Sequence, residues 1–102
     1  MNNTIKTVTL EPTEFLSTLS IVKCIKQVAI EQQDNNEAGL MQELIDTLLT
    51  YEHTDDDKAQ LNLDTEKRFA FWLSLDNYRQ FCEVSNQTEE LAKTRRIMIK
   101  FA

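Results

Sequence analysis

Glycine and proline are almost absent from the sequence. Its 102 residues include one glycine, Gly39, and one proline, Pro12. Loops that hold phosphate groups need several glycines, because a backbone without side chains can come close to the anion. P-loop and dinucleotide-binding sites are therefore excluded. The scarcity of both residues also predicts short connections between elements and no long flexible linker.

Cysteine and histidine are scarce as well. Cys24 and Cys82 lie far apart and neither belongs to a CxxC pair, so we expect neither a disulfide framework nor a zinc site. His53 is the only histidine, and no serine or cysteine nucleophile can be placed beside it from the sequence. The three aspartates at residues 55–57 lack the spacing, the glycine and the closing glutamate of an EF-hand. We therefore expect no enzyme, no catalytic residue, no metal and no cofactor.

Long apolar runs are missing too. No stretch approaches the ~20 apolar residues that cross a bilayer, and the segment MNNTIKTVTLEPTEF lacks the basic start and apolar centre of a signal peptide. We therefore expect a cytoplasmic protein. Its length, with 41% apolar and 27% charged residues, is typical of one globular domain over residues 1–102.

Negative charge is what the chain has in excess, and it is concentrated in residues 31–66, here called the acidic segment. The acidic segment contains eleven Asp or Glu residues and one basic residue, Lys58, which gives −10 against −6 for the whole chain. Such a charge favours a basic partner and disfavours direct contact with nucleic acid or an anionic membrane. The other interpretation is a solvated surface that only keeps the protein soluble.

Closely spaced carboxylates can imitate a phosphate backbone and bind the Arg and Lys cluster of a nucleic-acid-binding protein. Such charges raise the rate of encounter and the specificity more than the affinity. Trp72 is a candidate apolar anchor beside them. The candidate partner-binding residues are Glu37, Glu43, Asp46, Glu52, Asp55, Asp56, Asp57 and Trp72.

Hydrophobic periodicity predicts a strand and two helices in the first half of the chain. Residues 4–10 alternate as a strand, and Pro12 suits the first turn of a helix that continues to Ile30. Asn35 or Asn36 is expected to cap the second helix. The segment EHTDDDK after it is expected to be a solvated loop. The inward residues are Phe15, Leu19, Val22, Ile25 and Ala29 in the first helix and Met41, Leu44, Ile45, Leu48 and Tyr51 in the second.

Residues 68–75 (RFAFWLSL) are predicted to form a strand. As a helix, their apolar side chains would point in all directions, whereas a strand places alternate residues on one face. The segment LNLDTEK before them allows a short pairing strand. The predicted core face consists of Phe69, Phe71, Leu73 and Leu75.

The rest of the chain predicts one interrupted helix and a last strand. Asp76 is expected to cap the helix, and Thr88 to cap its second part after a break at SNQ. Residues 96–102 alternate as a final strand, which adds Ile97, Ile99 and Phe101 to the core. On this arrangement Trp72, Met98 and Lys100 face outward together.

These elements predict an α+β fold, a small three-stranded sheet with helices packed on it, in the order β-α-α-β-α-β. The order and the acidic helical region are similar to those of barstar-type ribonuclease inhibitors, which use an acidic helical region against a basic nuclease. The resemblance covers topology and charge only. It implies inhibition by binding and assigns a role to no particular residue.

The sequence therefore predicts a small acidic interaction protein that binds and inhibits a basic protein, a nuclease or another nucleic-acid-binding protein, by occupying its cationic groove. Antitoxins, immunity proteins and phage anti-CRISPR proteins fit this description. Two alternatives stay open. Lys93, Arg95, Arg96 and Lys100 suit an accessory regulator that binds nucleic acid, and the Trp72 face suits a homodimer or an oligomeric assembly subunit.

Overall fold

The structure, a computed structural model, describes residues 4–102, which form a three-stranded sheet and four helices. The elements in chain order are β1 (Lys6–Leu10), α1 (Pro12–Glu31), α2 (Asn35–Leu48), β2 (Glu52–His53), β3 (Ala59–Leu63), α3 (Thr65–Val84) and α4 (Thr88–Phe101). The α+β class and the three-stranded sheet with helices packed on it are confirmed. The predicted order is roughly met, except that helix α4 follows the last strand.

The sheet is antiparallel, with β3 between β1 and β2. Val8 of β1 lies opposite Leu61 of β3, and side chains alternate between the two faces of each strand. The outer face is polar, and there the Thr7 hydroxyl donates to Asn62 Oδ1 at 2.8 Å. The first strand is thus confirmed, and β3 overlaps the segment LNLDTEK, in which a short pairing strand was expected. The buried face carries Val8, Leu10, Ala59, Leu61 and Leu63.

Carboxylates cap the first two helices. Glu14 Oε1 accepts from the backbone N–H of Glu11 at 2.8 Å, in a capping box that begins α1 beside Pro12. The side chain of Asp34 accepts from the backbone N–H of Glu37 at 3.1 Å. Asp34 therefore caps α2, and neither of the two predicted asparagines does.

The inward stripes predicted for α1 and α2 are confirmed, with one exception. The α1 stripe is buried or partly buried, and the α2 residues Met41, Leu44, Ile45 and Leu48 are buried. Tyr51 lies beyond the end of α2 and is 41% exposed. Its ring packs against Phe15, with 4.7 Å between the ring centroids.

The strand predicted for residues 68–75 is wrong, because these residues belong to α3. Asp64 caps α3 by accepting from the backbone N–H of Lys67 at 2.7 Å. Asp76 lies inside the helix and caps nothing. One side of α3 is buried, whereas Phe69 and Leu73 are 58% and 47% exposed, so both are outside the core. Apolar residues on two sides of one helix produce the alternation that resembles a strand. The buried side consists of Phe71, Ser74, Leu75 and Cys82.

The final strand predicted for residues 96–102 is also wrong. These residues lie in α4 and at its end, and the N-cap of α4 is Gln87, not Thr88. The α4 residues that face the core follow helical spacing. The Phe101 ring stacks on Phe71 at a centroid distance of 4.9 Å. Ile99, predicted to be buried, is 73% exposed. The buried residues of α4 are Thr94, Ile97, Met98 and Phe101.

The outward face predicted from Trp72, Met98 and Lys100 does not form. Met98 is buried in the core, and Trp72 is partly buried against it. Lys100 is half-buried, with its Nζ 2.7 Å from Glu14 Oε1. The physical reason is the helical period of 3.6, which separates residues that alternation in a strand would align.

The helices form two pairs, α1 with α2 and α3 with α4. Both pairs pack on the apolar face of the sheet around one core cluster. The two pairs meet mainly through α1 and α3, and α2 touches α3 little. A cleft therefore lies between α2 and α3. Over residues 4–102, no helix combines the length and the apolar character that crossing a membrane requires.

Candidate partner-binding surface

The acidic segment extends from the end of α1 through α2 and the β2–β3 hairpin to the start of α3. Glu37, Glu43 and Asp46 lie on α2, and Glu52 lies on β2. The aspartates at residues 55–57 lie in the turn between β2 and β3. Because α2 rises about 1.5 Å per residue, Glu37 and the hairpin are at opposite ends of a helix about 20 Å long. The candidate carboxylates are therefore spread along one helix and the turn after it.

Within the described part of the chain, most carboxylates of the acidic segment have no cation beside them. Among residues 4–102, only two of the eleven form an ion pair, Glu43 with Lys67 at 3.6 Å and Asp57 with His53 at 2.8 Å. The second pair is ionic only when the imidazole is protonated. Lys58, the single base of the segment, pairs instead with Glu11 outside it, at 3.4 Å. The excess negative charge is therefore not neutralised within the part of the chain that the structure describes.

Carboxylates outside the acidic segment behave differently. Five of these six residues form an ion pair with Lys or Arg. Arg79, for example, bridges Asp76 at 2.7 Å and Glu83 at 2.8 Å. The hydrogen bond with Asp76 raises the pKa of the Arg79 guanidinium. The charge asymmetry of the sequence thus persists in the folded chain. The five paired residues are Glu11, Glu14, Asp76, Glu83 and Glu90.

The β2–β3 turn holds its three aspartates in an ordered conformation. The Thr54 backbone N–H donates to the Lys58 carbonyl at 2.9 Å, and the Asp57 N–H donates to the Thr54 carbonyl at 3.1 Å. Asp57 has φ 62°, in the left-handed region that aspartate tolerates better than most residues. Asp55 and Asp56 are exposed at the tip. The predicted loop is therefore solvated, as expected, but it is the tip of a hairpin that begins in β2.

The three candidate residues on α2 lie in two environments. Glu37 and Glu43 line the cleft between α2 and α3. Asp46 lies on the outer side of α2, where its Oδ1 accepts from Gln42 Nε2 at 2.8 Å. Gln42 in turn accepts from Lys26 of α1. The structure therefore brings two of the three together in the cleft and leaves the third on an open surface.

The cleft between α2 and α3 has a volume of about 490 Å³ and is lined by residues of α1, α2 and α3. Apolar side chains such as Leu40, Met41 and Leu73 line it together with four carboxylates and Lys67. Sequence reasoning missed this cleft, because its two main walls are distant in the sequence. The sequence feature that could have indicated the cleft is that α3 has more apolar residues than its buried side holds. The lining carboxylates are Glu37, Glu43, Glu66 and Asp76.

Trp72 lies away from the cleft, in a shallow depression of about 320 Å³ beside the C-terminal end of α4. It is partly buried and contributes to the packing around the core. Phe69, in the same depression, is more exposed than Trp72. The apolar surface offered here is therefore mainly that of Phe69.

Three of the four bases in the C-terminal stretch form ion pairs. Lys93 pairs with Glu90 at 3.6 Å, and Arg95 Nη2 lies 3.1 Å from Glu83 Oε1. Lys100 pairs with Glu14, as described above. Among residues 4–102, only Arg96 of the four has no ion-pair partner. A compact free cationic surface is therefore not available from this stretch.

Within residues 4–102, the histidine and the two cysteines lie on three different elements. His53 is exposed on β2, Cys24 is exposed on α1 and Cys82 is buried on α3. Burial raises the pKa of Tyr78 to about 12, helped by a hydrogen bond with Cys82 and by the charge of Glu90. The phenol is therefore protonated near neutral pH. Within the described range 4–102, no group of three or more His, Cys, Asp or Glu side chains could hold a metal ion.

Comparison with known proteins finds no match: no protein-family model, no curated protein and no solved structure matches this chain. The resemblance to barstar-type inhibitors rested in part on a final strand that is helical in the structure. What remains for a functional assignment is the geometry and charge of the chain itself.

Proposed function

We propose that this chain is a small interaction protein that binds and inhibits a basic, nucleic-acid-handling protein in the cytoplasm. One observation carries the proposal: only two carboxylates of the acidic segment have an ion-pair partner within residues 4–102, whereas those elsewhere are almost all paired. Unpaired like charges repel each other and destabilise the compact state. A cationic partner would turn that repulsion into attraction.

The contact would involve the outer side of α2 and the β2–β3 hairpin. Glu52, Asp55 and Asp56 are exposed and have no ion-pair partner in the described residues, and Asp46 extends the charge along α2. Carboxylates accept bidentate hydrogen bonds from arginine, as phosphates do. Occupation of a cationic groove by this surface would exclude nucleic acid from it. Antitoxins, immunity proteins and phage anti-CRISPR proteins are inhibitors of this kind.

Two other functions stay as alternatives with weaker support. A nucleic-acid-binding regulator would use the C-terminal bases, but Lys93, Arg95 and Lys100 already hold ion pairs. An oligomeric assembly subunit, or a homodimer, would bury the depression that contains Phe69 and Trp72. These alternatives predict retention of nucleic acid or of further copies of the chain.

Capture from the native host's lysate tests the proposal. The immobilised protein is expected to retain a basic protein that elutes in near-stoichiometric amount at moderate salt. The double substitution Asp55→Asn and Asp56→Asn should shift that elution to lower salt, because it removes two exposed charges. The control, Glu83→Gln with Glu89→Gln, removes two charges outside the acidic segment and should leave the elution unchanged.

The captured protein is then tested for nucleic-acid binding with and without this chain. Inhibition predicts that nucleic acid is displaced at about one equivalent. Capture of nucleic acid alone, capture of further copies only, or equal capture by both double variants would contradict the proposal.

A further inference from the structure

The cleft between α2 and α3 continues along α3. A second depression, lined by Cys24, Val28 and Phe81 among others, shares Ile25 and Asn77 with the cleft. The combined surface, here called the α3 groove, extends along α3 from Glu66 to Phe81. At about 1.5 Å per residue this is about 22 Å, the length of a helix of four turns.

Exposed apolar side chains from both walls line the α3 groove, beside its charged and polar residues. Leu40 of α2 is 54% exposed, and Phe81 of α3 is 56% exposed. Leu73 of α3 lines the part of the groove between α2 and α3 and is 47% exposed. Exposed apolar residues scattered singly are ordinary, whereas a contiguous apolar surface marks an interaction site. The apolar surplus of α3 is therefore explained if a partner covers it.

The rim of the α3 groove is acidic at the end near α2. Two of its carboxylates are neutralised, Glu43 by Lys67 at 3.6 Å and Asp76 by Arg79 at 2.7 Å. Glu37 and Glu66 have no ion-pair partner among residues 4–102. A partner that fills the groove therefore gains most if it carries positive charge beside its apolar residues. Two copies of this chain meeting groove to groove would bring like charges together, which disfavours a second copy as the occupant.

We propose that the α3 groove binds one basic amphipathic helix of the target protein. Apolar side chains at spacings of three and four residues would enter between α2 and α3, which is the usual arrangement for a helix in a groove. Lysine or arginine on its flanks would pair with Glu37 and Glu66. The inference rests on the proposed function, and it names the part of the basic partner that this chain recognises.

The probe is a synthetic helical peptide of about 18 residues, with leucines at those spacings and lysines between them. Its control is a scrambled peptide of the same composition without the apolar periodicity. Titration calorimetry at low salt should give one peptide per chain, and the scrambled peptide should bind at least about tenfold more weakly. Amide chemical shifts should change at Leu40, Leu73 and Gln80 when the periodic peptide binds.

Substitutions in the groove separate the apolar contribution to peptide affinity from the electrostatic one. Leu40→Ala with Leu73→Ala should weaken binding by about tenfold, because both side chains are contact surface. Glu37→Gln with Glu66→Gln should weaken it by about threefold to tenfold at low salt and by less at high salt. All four side chains lie at the surface, and thermal unfolding would verify that the variants fold.

Matched controls lie outside the groove. Asp55→Asn with Asp56→Asn removes two charges from the hairpin, and Ile99→Ala removes an exposed apolar side chain from α4. Each should change the affinity of the peptide by less than about twofold.

Equal binding of the two peptides, equal loss in the hairpin control, or a dimer of this chain that buries the groove would overturn the inference. If the peptide fails but lysate capture still depends on Asp55 and Asp56, the groove inference falls and the proposed function stands. If the peptide binds in the groove but no basic protein is captured, the proposed function falls and the groove is a helix-binding site of another kind.

Discussion

Individual aspartates of the acidic segment have different tasks. Asp34 and Asp64 cap α2 and α3 through hydrogen bonds to backbone N–H groups, and Asp57 occupies the left-handed position of the hairpin turn. Loss of an N-cap costs about 0.5–2 kcal/mol. Among the residues that the structure describes, Asp55 and Asp56 cap no helix and form no ion pair, and both are exposed. Substitutions that probe binding should therefore avoid the capping residues.

Gly39 lies inside α2, where glycine is unfavourable because it loses much backbone freedom on folding. Apart from its chain neighbours and the adjacent backbone of α2, a Cβ atom added to Gly39 would meet no atom within 4 Å. We expect Gly39→Ala to stabilise the protein by about 0.5–1 kcal/mol. This corresponds to roughly 2–8 °C in the thermal midpoint for a domain of this size. A lower midpoint for the alanine variant would show that this position needs glycine.

Tyr78 gives the stability a predictable dependence at alkaline pH. Its pKa rises from 10.0 in the unfolded chain to about 12 in the folded protein, mainly through burial. The contribution of Tyr78 to stability is therefore full below pH 10 and is lost as the pH rises towards 12. The loss is at most about 1.4 kcal/mol per pH unit.

Chemical unfolding of the wild type and of Tyr78→Phe over this range measures the difference. The wild type should lose more free energy of unfolding between pH 10 and pH 12 than the phenylalanine variant, which has no phenol to titrate. Parallel curves for the two proteins would contradict the raised pKa.

Helix α3 buries one of its two phenylalanines near residue 70 and exposes the other. It buries Phe71 and leaves Phe69, two residues earlier, exposed. In a helix, side chains two positions apart point in different directions. In a strand, they lie on the same face. Phe71→Ala should therefore destabilise the protein by about 3–5 kcal/mol. Phe69→Ala should change the stability by less than about 1 kcal/mol.

Urea unfolding of these two variants compares the same chemical change at two positions. Similar large losses for both would indicate the strand that the sequence pattern predicts. Loss confined to Phe71→Ala supports the helix and its stacking on Phe101.

The two halves of the chain differ in how far they can be predicted from sequence. Helices α1 and α2 have one main inward stripe, so hydrophobic periodicity identifies them and most of their buried residues. Helix α3 is apolar on two sides, and in α4 Ile97, Ile99 and Phe101 alternate by chance. In both helices the apolar residues therefore fit the two-residue period of a strand as well as the 3.6-residue period of a helix. The usable signal was Asp64, a capping residue followed by twenty residues without glycine or proline. The apolar residues on the second side of α3 thus account both for the mistaken strand prediction and for the exposed wall of the groove.

At the scale of the whole molecule, charge was the predictable part of the candidate surface and shape was not. The eleven carboxylates of the acidic segment can be counted in the sequence. That Lys58 pairs with Glu11, outside the segment, depends on the fold. The α3 groove depends on how two helical pairs diverge, which no local pattern records. Over residues 4–102, most carboxylates of the acidic segment lack an ion-pair partner, and we propose that a cationic partner supplies one.

The most direct test of that proposal is the association rate of this chain with the basic protein that lysate capture is expected to yield, measured by stopped flow at low and high salt. Charge reversal by Asp55→Lys with Asp56→Lys should slow association by about tenfold or more at low salt, and the difference should shrink at high salt as the charges are screened. Association rates that are the same for both proteins at every salt concentration would contradict the account.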